Sequence, residues 1–176
     1  MRMTIIALTA FIALCGPLGC ADSKISGKVD GEKFGSVESS IFMRKDSGIQ
    51  ELQLLLTNYP EACITYSPYF DQGASPSEEG PLHALTVRFY FLEELAVGTF
   101  PIVANDETYE DQVSWVHAGW LTHSDTGWQG PTATSGSITL ETLDDSTLTG
   151  TLEATLETGD VIEAIVVADL CDLEDF

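Results

Sequence analysis

Positive charge all but disappears from this chain after Lys45: from Asp46 to the end, Arg88 stands alone against 24 carboxylates. Such a surface repels phosphates and has no basic stripe to follow a backbone, which excludes nucleic-acid binding. It also argues against docking on an anionic membrane surface. Long apolar runs are missing from the body of the chain as well. The best candidate, Val161 to Leu170, is too short to span a bilayer and is broken by Glu163 and Asp169. No segment carries the 3.6-residue periodicity of a convincing amphipathic helix; Glu93-Glu94-Leu95-Ala96 supplies a single turn at most. Catalytic signatures are absent too: there is no Gly-x-Ser-x-Gly elbow, no His-Glu-x-x-His, no Ser-x-x-Lys and no phosphate-cradling glycine loop. The chain is therefore not expected to be an enzyme, although a carboxylate pair would leave little trace in a sequence.

What is present begins at the N-terminus. Arg2 precedes an apolar run, Ile5 to Leu14, which ends in Pro17-Leu18-Gly19-Cys20. A basic start, about a dozen apolar residues and small residues at the cut describe a secretory signal, too short to span the bilayer as a mature helix. The ending resembles the lipobox of bacterial lipoproteins, in which a small residue precedes a cysteine that becomes the acylated N-terminus. Gly19 fits that pattern, and Pro17-Leu18 departs from the usual leucine-then-small order. The alternative is ordinary cleavage after Ala21, with Gly19 and Ala21 as the small pair. The resemblance implies lipidation at Cys20, with residues 1–19 removed and residues 20–24 a short tether.

Four cysteines are present. Cys15 leaves with the leader and Cys20 takes the lipid, so Cys63 and Cys171 remain as one pair in an oxidising compartment, where a bridge is expected. Two free thiols or a redox pair is the competing reading, and no Cys-x-x-Cys spacing favours it. Closing a loop of about a hundred residues stabilises a fold by up to about 4–5 kcal/mol on the chain-entropy model.

Residues 25–176 are long enough for one domain with a full-sized core, and they read as strands and turns almost throughout. Ile25 to Val29 leads into Asp30-Gly31, a two-residue hairpin signal. Ser36 to Lys45 is a second extended run, and Ile49 to Thr57 returns with Leu52, Leu54 and Leu56 alternating. In Ala84 to Leu92, Leu85, Val87, Phe89 and Phe91 share one face, with Arg88 and Tyr90 on the other. Gly98 to Ile102 is a short strand, placed at an edge by Pro101. Ser137 to Leu143, Thr147 to Leu156 and Val161 to Leu170, separated by turns, form a three-stranded antiparallel meander. Eight to ten strands in an all-β sandwich or barrel-like domain is the expected architecture.

Three candidate sites follow. Asp106, Glu107, Glu110 and Asp111 place four carboxylates in one loop, the ligand type a calcium ion takes, so calcium is the one cofactor the composition favours. A solvated acidic face is the ordinary reading of such a run. Tyr59, Tyr66, Tyr69 and Trp128 are aromatics in connecting segments, suited to line a carbohydrate or peptide cleft or to cap an open core end. His117 and His123 share a face of one strand but stand six residues, about 20 Å, apart, too far for one ion.

The leader, Ile25 to Gly31 and the closing meander together resemble the small uncharacterised β-rich lipoproteins of Gram-negative bacteria. That resemblance implies an envelope-facing β-sandwich tethered through Cys20 and carries no activity with it; the outer membrane is the expected location. Two functions are open: a non-enzymatic binding or structural module of the envelope, calcium-stabilised if the acidic loop is a site, or a carboxylate-dependent hydrolase of envelope glycans or peptides. The one partner indicated is the membrane, reached through the lipid; no protein or glycan partner can be named.

Overall fold

The computed structural model describes residues 22–46, 50–60, 62–63, 82–91, 95–104, 114–124 and 127–171. Its strands are β1 (Lys24–Gly27), β2 (Ser39–Asp46), β3 (Gln50–Thr57), β4 (His83–Phe91) and β5 (Gly98–Val103), then β6 (Ser114–Ser124), β7 (Gly127–Gln129), β8 (Ala133–Leu143), β9 (Thr147–Leu156) and β10 (Val161–Leu170). Hydrogen bonds join all ten into one sheet in the order β1-β10-β2-β3-β4-β6-β5-β8-β9, and β9 pairs back onto β10. Eight strands thus close a barrel, with β1 and β7 added to its wall. Closure leaves no long free edge in the ring.

The period-two alternation decides what fills the barrel. Leu52, Leu54 and Leu56 of β3, Leu85, Val87 and Phe89 of β4, Val116, Ala118 and Trp120 of β6, Leu148, Leu152, Ala154 and Leu156 of β9 and Ile162, Ala164, Val166 and Ala168 of β10 all belong to one buried cluster. Phe34 closes one end, its ring edge-on to Trp120 at 5.0 Å. It is delivered there by a tight turn in which Val29 and Glu32 pair and Asp30 and Gly31 both have positive φ, 51° and 82°. That is the backbone a two-residue hairpin needs and the reason for Asp-Gly at this point.

The C-terminal meander is as the alternation predicts, with β8 starting earlier, at Ala133. Two features depart from the sequence reading. β5 is not an edge strand: it runs antiparallel to β8 along its whole length and touches β6 on the other side. Its bond to β6 is a single parallel bridge, Ile102 to Val116, and so sparse a ladder tolerates the missing amide of Pro101. The Gly-rich connection around Trp128 contains a strand, β7, folded back on the end of β6.

The barrel closes between distant parts of the chain. β10 meets β2 in parallel over only two residue pairs, Asp169 with Ile41 and Leu170 with Phe42. Lower on the same edge, β1 pairs with Ile162 to Ile165. Between these two ladders the buried Ser23 takes the place of a strand. Its Oγ accepts the Val167 amide at 2.8 Å and lies 2.9 Å from the Val167 carbonyl and 3.0 Å from the Ser40 hydroxyl.

Candidate functional site

The outer wall of the barrel carries two very different surfaces. Over part of β2, β3, β4 and β6 the outward residues are apolar and covered, whereas Arg88 further along β4 is exposed. Ile41, Met43, Leu55, Ala84, Tyr59, Ala62, Leu82 and Cys171 form a second core, with Cys63, Leu121 and Trp128 packed against it. The Cys63–Cys171 disulfide sits in this cluster, Cα atoms 5.5 Å apart and 108 residues apart in sequence. It fastens the end of β10 to the segment after β3, so the expected bridge is present.

Two of the aromatic candidates lie here. Tyr59 is 3% exposed, its ring 5.9 Å from that of Trp128, which is edge-on to His123 at 5.1 Å. A ring that buried builds the wall rather than offering a platform, which revises the cleft expectation for Tyr59; Trp128 is half-buried beside it. Tyr66 and Tyr69 lie outside the described residues, as do Cys20 and the proposed calcium ligands Asp106, Glu107, Glu110 and Asp111.

His117 and His123 do share the outward face of β6, each beside its own aromatic partner. Burial first, and the Arg88 guanidinium second, hold the His117 imidazole below its ordinary pKa, so the neutral ring is favoured. Nε2 of both histidines is buried without a hydrogen-bond partner among the described residues. Among the described residues no three His, Cys, Asp or Glu side chains gather as a metal site.

His83 was not singled out from sequence, yet it is the most enclosed titratable group described. It starts β4 in phase with Leu85, Val87 and Phe89, and that parity was the available signal. It is 2% exposed at the barrel end, with Trp120 and Phe34 rings at 5.4 and 6.0 Å. Nδ1 lies 3.0 Å from Thr122 Oγ1 and Nε2 3.9 Å from Glu32. Burial lowers its pKa and Glu32 opposes the shift. Hydroxyl, imidazole and carboxylate in a row suggest nucleophilic chemistry. An imidazole under Phe34 and Trp120 gives a substrate no access, so these contacts lock the barrel end.

Asp144 also has a structural task. In the β8–β9 turn its Oδ1 accepts the Ser146 and Thr147 amides at 2.8 Å and the Ser146 hydroxyl at 3.0 Å. Those bonds, the two amides foremost, hold its carboxyl below the ordinary value.

The second surface is the outer wall of β1, β10, β9 and β8, and it is open. A hollow of about 830 Å³ lies there, where Ser137, Thr139, Thr151 and Glu153 face solvent beside Glu163 and Ile165. Glu153 and Glu163 stand opposite each other across β9 and β10. They are neighbours on one wall, whereas a glycosidase pair faces across a cleft. The Ser26 hydroxyl reaches the Glu163 carboxylate at 3.4 Å on this exposed wall. Comparison with known protein families, curated proteins and solved structures finds no match for this chain.

Proposed function

We propose that the protein is an exported, lipid-anchored module of the bacterial cell envelope that acts by binding or by structure rather than by catalysis. The observation that carries this reading is the Cys63–Cys171 disulfide. Such bonds persist in oxidising compartments, which is where the leader would send the chain. The barrel supports it further: side chains fill its interior, and its buried imidazole serves packing. Calcium remains the proposed ligand of the acidic loop at residues 106–111.

Two experiments test the proposal. Cys20→Ser is expected to release the protein from the membrane fraction, and an unchanged membrane fraction would refute the anchor. A thermal melt with calcium, magnesium and chelator tests the loop. A rise of several degrees in calcium alone makes it a site, and no shift leaves the charge as a solubility coat.

A further inference from the structure

The covered and open walls lie on different sides of the barrel, and the tether selects one of them. Ser23 is 7% exposed and pinned to Val167 and Ser40 in the wall itself. Three peptide units separate it from Cys20, so the lipid-bearing Cα cannot be more than about 11 Å from Ser23. An acyl chain seated in a bilayer therefore brings the wall around β1 and β10 down to the headgroups.

That wall differs from the rest of the surface in the right sense. Val161 and Ile165, two of the four exposed large hydrophobic residues described, both point outward from β10, 48% and 50% exposed. Ile165 is directly opposite Lys24 on β1, and Lys28 follows the end of that strand. Lys24 and Lys28 stand among Asp22, Glu163, Glu153 opposite it and Asp160 beside Val161, so the face carries net negative charge and its contact with a bilayer rests on Val161 and Ile165. Beyond Lys45 the chain has 24 carboxylates and one arginine, a surface an anionic leaflet repels. β6 lies four strands from β10 around the ring in either direction, so the His117 face points away.

We infer that the outer face of β1 and β10 is a bilayer-docking surface, with Ile165 and Val161 at headgroup depth and Lys24 and Lys28 at the lipid phosphates. The barrel then lies on its side on the membrane instead of swinging on a flexible leash. One acyl chain binds marginally and a second signal makes anchoring stable; this face adds contact to the lipid on Cys20. The inference rests on the lipid-anchored reading and goes beyond it by naming the surface and its partner.

The test uses the full chain, expressed in a Gram-negative host and reconstituted in phosphatidylcholine vesicles carrying nitroxide lipids. A bimane is attached through Ile165→Cys or, on the far side, through Gln129→Cys. The expected result is loss of emission at position 165 that position 129 does not share. Equal quenching at both positions on a chain whose N-terminal peptide is acylated overturns the docking face alone. An unacylated N-terminal peptide overturns the anchor and this inference together. Acylation of the native lysines by a water-soluble reagent needs no substitution. Lys24 and Lys28 should react more slowly on vesicles than in detergent, and equal rates in both would refute the docked orientation should the Ile165 variant fail to fold.

Discussion

Outward-facing residues on β3 and on β9 occupy equivalent places in a barrel wall and meet opposite fates. Leu55 of β3 points out and is fully buried, in the second core around the disulfide. Thr151 of β9 points out and is exposed. Both strands alternate, and both send their other face into the same barrel interior. The difference is that chain after β3 has been folded over the first wall and fastened there by Cys63–Cys171. The lesson is that alternation assigns a residue to a face, whereas burial on the outside of a barrel depends on what else the chain lays over it.

The contrast is most easily broken at the disulfide. Cys63→Ser or Cys171→Ser should lower stability by up to about 4–5 kcal/mol, the entropy restored to the unfolded chain by opening so long a loop. Equal melting temperatures for variant and parent under non-reducing conditions would sink this. Next comes Leu55→Ala, for which chemical denaturation should show a loss of about 2–5 kcal/mol, the usual range for emptying a packed leucine site. A loss under about 0.5 kcal/mol, typical of a surface change, would mean the second core is not packed.

A smaller effect comes from the barrel end shared by both walls. His83 has a folded pKa below the unfolded value, so the unfolded chain binds the extra proton first. Its contribution is complete above about pH 6.5, the unfolded value, and is lost as pH falls from there through the folded pKa. His83→Gln should flatten that part of the stability profile, and an unchanged slope would locate the proton uptake elsewhere. Smallest of all is Thr151→Ala, within about 0.5 kcal/mol of the parent. A larger loss in a urea melt would show that the open wall is covered in solution.

Legibility in the sequence followed the same division. The C-terminal meander was readable because β8, β9 and β10 are consecutive and joined by short turns, so Leu148, Leu152, Ala154 and Ile162 fall into phase without any distant partner. The Asp30-Gly31 turn was readable because only a few residue types accept positive φ at both positions. Barrel closure was not, since it pairs β10 with β1 and β2, more than a hundred residues away in sequence. Pro101 misled for a physical reason: a missing amide marks a strand with one weak neighbour, and a near-empty ladder inside a barrel meets that condition as well as an edge does. Tyr59 carried no local sign of burial, because what buries it is the fold-over and the distant Trp128. His83 carried such a sign, in its parity with Leu85.

The most direct test of the account is the intact mass of the protein recovered from the membrane fraction of a Gram-negative host, before and after reduction. The account predicts a chain beginning at Cys20 and carrying acyl groups there, which gains two hydrogens on reduction as Cys63–Cys171 opens. A chain beginning at Asp22 without lipid, or one retaining residues 1–19 with both thiols free, would contradict it.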